Sequence, residues 1–157
     1  MKRNIRHGII AGMVCIMLIP VFLCCSEPAS SGTFIKSCDT ETPGLYPFTI
    51  DMTDSLCLYD MTLYTRIDAT EKRFARMPSG IPLDIRLTSP GGKRYAETVY
   101  IPKEGFSMMT SFSREYEMPY RKNIRPEEYG IWKMEIEIQD EKDFPGLRGM
   151  GIKVTRK

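Results

Sequence analysis

The segment Pro82-Leu83-Asp84-Ile85-Arg86-Leu87-Thr88-Ser89-Pro90-Gly91-Gly92 decides the fold class. Leu83, Ile85 and Leu87 alternate with Asp84, Arg86 and Thr88, so an extended chain puts the aliphatic side chains on one face and the polar ones on the other. Burying each such side chain contributes roughly 1.5–3 kcal/mol, so the apolar face requires a facing sheet. Ser89-Pro90-Gly91-Gly92 predicts a type II reversal: proline presets φ at the second position and Gly91 accepts the positive φ of the third. Tyr95 to Ile101 then returns as the antiparallel neighbour, with Tyr95, Val99 and Ile101 on one face and Pro102 as its stop.

The same period of two runs outward in both directions. In Cys57 to Ile67 the residues Cys57, Tyr59, Met61, Leu63 and Ile67 share one parity against Asp60, Thr62 and Arg66. Phe112 to Met118 places Phe112, Tyr116 and Met118 together. Ile131 to Gln139 turns Trp132, Met134, Ile136 and Ile138 inward and Lys133, Glu135 and Glu137 outward, and Met150, Ile152 and Val154 close the series. One short helix is expected at Thr70 to Met77, with Thr70 as its N-cap. Strands of this spacing, each with one apolar face, predict an all-β domain over 45–157, a single antiparallel β-sandwich of about six to eight strands.

Ahead of this domain, Lys2, Arg3 and Arg6 precede an apolar run from Gly8 to Leu23 that ends Phe22-Leu23-Cys24-Cys25-Ser26-Glu27. The run has the length of a secretory leader, is short for a membrane span and contains Pro20. Its end resembles the lipobox of bacterial lipoproteins. That resemblance implies cleavage after residue 24 and acylation of Cys25, with Cys24 as the small residue at −1. The alternatives are a plain transmembrane anchor and an ordinary cleaved leader. Acyl chains on Cys25 are the only covalent group expected; no cofactor and no metal are. Residues 25–44, rich in Ser, Thr, Pro and small side chains, read as a tether. Glu27 is the only acid near Cys25, which favours a periplasm-facing position on the outer membrane over a surface-exposed one.

Composition removes several function classes. The leader takes three of the 22 basic residues and none of the 20 acidic ones, leaving a mature chain near neutral at −1, which argues against nucleic acid as a partner. The only histidine, His7, lies in the leader. The mature chain therefore has no Ser-His-Asp or Cys-His mechanism and no His-containing zinc site, and no G-x-S-x-G motif appears. Cys38 and Cys57 remain for a disulfide worth about 3 kcal/mol, the alternative being a free buried thiol at Cys57.

Four groups of side chains invite a chemical reading. Asp140, Glu141 and Asp143 lack the spacing of a calcium loop and read as a solvated turn. Glu135 and Glu137 stand about 7 Å apart on one strand face, a spacing that two-carboxylate hydrolysis uses but that any solvated strand also shows. Lys72, Arg73 and Arg76 read as a solvated helix face. Tyr120, Arg121, Lys122, Arg125 and Tyr129 surround Arg125-Pro126-Glu127-Glu128 and form the candidate partner-binding loop, while Trp132 belongs to the core by parity.

Several segments resemble the GldH-type lipoproteins associated with bacterial gliding motility: the lipobox, the strand from Tyr59 to Arg66, the hairpin Leu87 to Lys93, and the tail from Tyr129 to Met134 and from Gly146 to Val154. Trp132 stands where that family has tyrosine. The resemblance implies a non-catalytic, lipid-anchored envelope protein that works with protein partners in gliding or linked secretion. The alternative is a carbohydrate-binding lipoprotein of a glycan-uptake system.

Overall fold

The computed structural model describes residues 29–157; the leader and the expected lipidation site Cys25 lie outside the described residues. Among these residues nine strands form two antiparallel sheets that pack face to face as a β-sandwich. They are β1 (Ser30–Lys36), β2 (Leu45–Met52), β3 (Tyr59–Asp68), β4 (Gly80–Thr88), β5 (Arg94–Pro102), β6 (Met108–Met109), β7 (Ser113–Ile124), β8 (Gly130–Ile138) and β9 (Leu147–Arg156). Sheet A has the order β1-β9-β3-β7-β6 and sheet B the order β2-β8-β4-β5.

Alternation becomes architecture in a direct way. On β3, Tyr59, Met61, Leu63 and Ile67 are all buried, as are Ile81, Leu83 and Ile85 on β4 and Trp132, Met134, Ile136 and Ile138 on β8. These side chains join Met150, Ile152 and Val154 of β9 in one core cluster between the sheets. The expected inward set on β7 needs one change. Phe112 precedes the strand and is 68 % exposed, while Arg114, of the same parity as Tyr116 and Met118, is buried. Its guanidinium lies 4.0 Å from the Phe74 ring, donates to the Ala69 carbonyl and pairs with Glu71, fastening the single-turn helix α1 (Glu71–Ala75) to the sheet. Thr70 stands at the N-cap without a side-chain hydrogen bond; only its carbonyl takes part, accepting from Phe74 N–H.

Three further expectations change. The stretch expected as a tether contains β1, which pairs with β9 from Ser30↔Thr155 to Lys36↔Gly149, so the sandwich includes residues 30–36, ahead of the expected boundary at 45. β1 gives no alternation because it is a nearly fully exposed edge strand, with only Ile35 part-buried. Gly149 makes its approach possible: at φ +141 it is a backbone position for glycine, and a Cβ there would meet the Ile35 carbonyl oxygen at 2.0 Å. The β4–β5 reversal places its positive φ at Gly92 (+87), not Gly91, while Gly92 N–H donates to Ser89 C=O. That pattern is a type I turn followed by a left-handed glycine, which resumes pairing at Thr88↔Arg94.

The third change concerns the cysteines. Among the described residues Cys38 and Cys57 are both free thiols. Cys38 follows Lys36, which sits opposite Gly149, whereas Cys57 precedes Leu58, which exchanges backbone hydrogen bonds with Lys157. The length of β9 lies between them, about 25 Å at strand rise, against the roughly 7 Å Cα limit of a disulfide. Cys57 donates to Asp54 Oδ2 at 3.1 Å, and this bond, then burial, pushes its thiol up. Peptide mapping after alkylation without reductant should find both cysteines modified, Cys38 faster than Cys57. A Cys38–Cys57 peptide pair would contradict this register.

Candidate functional site

The five residues expected to form a partner-binding loop are separated by the fold. β7 continues to Ile124, so Tyr120, Arg121 and Lys122 are strand residues. Tyr120 faces inward, 7 % exposed, and its hydroxyl donates to Glu97 on β5; burial, then that carboxylate, pushes the hydroxyl up. Arg121 donates to both Glu97 oxygens at 2.5 and 2.6 Å and lies 4.6 Å from the Tyr120 ring. Glu97 belongs to the edge of sheet B and the Tyr120–Arg121 pair to sheet A, so these groups latch the two sheets on one side. Lys122, Arg125 and Tyr129 remain exposed.

The loop between β7 and β8 braces the β4–β5 turn through two residues not singled out from the sequence. Glu128 Oε2 accepts from Ser89 Oγ at 2.8 Å and from Gly91 N–H at 2.7 Å. Glu127 accepts from Lys93 Nζ at 2.6 Å and from the Tyr95 hydroxyl at 3.2 Å. Trp132 is buried as expected, donates its indole N–H to the Glu128 carbonyl at 2.9 Å and stacks on Tyr95. The sequence offered only two consecutive acids after a proline. Their partners lie more than thirty positions away.

Two of the other clusters are occupied by structural contacts, and the third borders open surface. Glu135 and Glu137 flank Arg86 across the outer face of sheet B. Glu141 accepts from the buried Tyr46 hydroxyl at 2.7 Å, and Asp140 lies 3.6 Å from Lys142. Lys72, Arg73 and Arg76 border a depression with Asp143 and Met77.

The side chains best placed to receive a ligand lie instead on the outer face of sheet A. Phe34 on β1, Gly151 on β9, Tyr64 on β3 and Glu117 on β7 form one row across four strands. The Tyr64 ring lies over Gly151, where a Cβ would sit 2.3 Å from it, and stacks against Phe34 with centroids 5.7 Å apart and planes 23° apart. An aromatic ring covering a cross-strand glycine is itself a device for stabilising a sheet; here it also leaves two aromatic rings side by side on an exposed face. Around them, Arg66, Glu115, Glu117 and Lys153 line a shallow groove of about 420 Å³.

One step towards the far end of the sandwich, Asp68 accepts from Arg66 Nε at 2.7 Å and Arg148 Nε at 2.6 Å. Burial alone would raise the Asp68 carboxyl, but the two arginines outweigh it and hold the group below its ordinary value. A second depression joins Arg66, Asp68 and Arg148 to Arg73 and Phe112. Beyond it, Met108 and Met109 of β6 are 59 % and 58 % exposed. The face thus offers aromatic and thioether surface interleaved with charged hydrogen-bonding groups, an arrangement suited to holding a ligand. No protein-family model and no curated protein matches the chain.

Two outcomes check these contacts. Glu128→Ala should lower stability by about 1–3 kcal/mol in urea unfolding, because a charged acceptor of two hydrogen bonds is lost, whereas Glu127→Ala, at an exposed pair, should change it less. Asp68 has a depressed folded value, so its contribution is complete above the unfolded value and is lost as pH falls through the folded one. The stability advantage of the parent chain over Asp68→Asn should therefore shrink between about pH 5 and pH 2, read from thermal midpoints. An advantage that stays constant through that range would remove the ion-pair account.

Proposed function

We propose that this chain is a non-catalytic, lipid-anchored protein of the cell envelope that serves as an accessory or assembly subunit. In this reading acyl chains on Cys25 hold it at the outer membrane, facing the periplasm, and its partners are envelope proteins. Three features of the sequence support the proposal: the basic, apolar leader ending at Cys24-Cys25, the lack of histidine after residue 7, and the resemblance to GldH-type lipoproteins, which ties the role to gliding or linked secretion.

The single observation that carries the protein-partner role is the apolar tip beside the outer face of sheet A, where Met108, Met109 and Phe112 are 58–68 % exposed. Methionine and phenylalanine clustered in the open are costly to leave in water and adapt to an incoming protein surface. A specific observation also favours the alternative, a carbohydrate-binding lipoprotein. The Phe34–Tyr64 pair presents stacked rings with carboxylates and basic groups beside them, as sugar-ring stacking would require.

Affinity purification from detergent-solubilised envelopes separates the two. With the assembly role, the parent chain recovers a defined protein complex, the double variant Met109→Glu with Phe112→Glu loses at least about tenfold of it, and Phe34→Ala leaves it intact. With the carbohydrate role, no complex is recovered, selective retention on glycan columns appears, and Phe34→Ala abolishes that retention. A complex unaffected by the double variant removes the tip as the contact.

A further inference from the structure

The chain enters the fold at one rim of sheet A. The Ala29 carbonyl accepts from Arg156 N–H at 2.9 Å, Ser30 lies opposite Thr155, and Tyr59 lies opposite both Arg156 and Ile124. Ser30 is the fifth residue after Cys25, so a fully extended connection spans at most about 17 Å. If Cys25 carries the anchor, this rim must lie within that distance of the bilayer. The Met108–Phe112 tip, at the other end of β3 and β7, then points away from it.

The same rim carries the most exposed large apolar side chain among the described residues, Leu56, at 92 %. Its loop is built rather than loose. Asp54 Oδ1 accepts from Leu56 N–H at 2.9 Å, Asp51 accepts from Thr53 N–H and Oγ, and the Tyr59 hydroxyl bonds both the N–H and the C=O of Asp54. Tyr129 stands on the same rim, 41 % exposed. Lys122, Arg125 and Arg156 are also there, and none has a carboxylate within 4.0 Å among the described residues. The acids at this end are also held: Asp51 and Asp54 accept from the loop's own N–H, hydroxyl and thiol groups with Arg156 in their field, Asp60 accepts from Lys157 and Asn123 N–H, and Glu127 and Glu128 hold the β4–β5 turn.

We propose that this rim docks on an anionic lipid bilayer, with Leu56 entering the headgroup–acyl boundary and Lys122, Arg125 and Arg156 meeting lipid phosphates. The proposal rests on the reading of Cys25 as the acylated residue. Acyl chains alone would fix only where the chain is held. Leu56 and the basic groups add an orientation, because an apolar side chain inserts while surrounding cations are attracted to an anionic leaflet.

The test uses the full acylated chain in vesicles of phosphatidylethanolamine with or without phosphatidylglycerol, with doxyl-labelled lipids as quenchers. Tryptophan is introduced by Leu56→Trp at the rim or Met109→Trp at the tip, over the constant background of buried Trp132. Expected is quenching of the rim probe, little of the tip probe, and a gain at the rim with phosphatidylglycerol. Combining Leu56→Trp with Lys122→Glu, Arg125→Glu and Arg156→Glu should reverse that gain while the chain stays bound through its lipid. Equal quenching of both probes, or of neither, in a chain whose mass shows acylated Cys25 overturns docking and leaves the anchor standing.

If the mass shows no acyl group, the anchor reading fails and the same full chain is sedimented with the vesicles instead. Phosphatidylglycerol-dependent binding that weakens about fivefold for each basic group removed, and weakens with Leu56→Ser, supports the rim as a lipid surface. No sedimentation overturns it.

Discussion

Two sheets that can each bury only one face, and that must therefore bury it against each other, hold this molecule together. Leu63, Ile67 and Met150 of sheet A and Leu83, Ile85, Met134 and Ile136 of sheet B are all at or below 1 % exposure. At roughly 1.5–3 kcal/mol for each large aliphatic side chain, this dry layer outweighs any single polar contact on the surface. It also forces the alternation outward. Whatever stands between two core residues on a strand faces water, so Tyr64 and Arg66 reach the outer groove because Leu63, Thr65 and Ile67 are turned in.

The polar contacts refine this frame. Thr65, buried on the inward face of β3, donates to the Gly149 carbonyl at 2.5 Å where the register with β9 shifts. Buried polar groups of this kind must be satisfied or they destabilise the core. Glu97 joins Tyr120 and Arg121 across the sheet edges, and Glu128 holds the β4–β5 turn from a neighbouring loop. Each links segments far apart in the chain, and each takes up a charged group that would otherwise look available for binding.

Legibility in the sequence followed burial. β3, β4, β8 and the core of β9 were readable because one face of each is dry, and alternation is the imprint of a dry face. β1 left no imprint: Ser30, Ser31, Gly32 and Thr33 are all exposed, and their pairing with β9 depends on backbone groups that every residue carries. β7 looked shorter than it is because Pro119 and the polar run Arg121-Lys122-Asn123 lie in its second half. The candidate binding loop suffered from that shortening. Tyr120 has the inward parity of Tyr116 and Met118, and extending the strand by two residues would have placed it in the core. The outer groove was not readable at all. Its members, Phe34, Tyr64, Arg66, Glu117 and Lys153, come from four strands, and the residue that lets Tyr64 lie flat is a glycine, Gly151, whose contribution is the absence of a side chain.

The incorporation of β1 as a full strand has a mechanical consequence. Seven register pairs join it antiparallel to β9, and its axis runs from the rim where Ala29 and Ser30 enter the sheet towards the opposite end. In the proposed arrangement, tension between a membrane-held N-terminus and a partner gripping the Met108–Phe112 tip acts along that axis. The β1–β9 hydrogen bonds are then loaded together in shear instead of opening one after another like a zipper. A domain hung from a terminal edge strand in this way resists pulling better than its exposed first strand alone would suggest. In that arrangement, entering the sheet at Ser30 would give the attachment tensile strength as well as position.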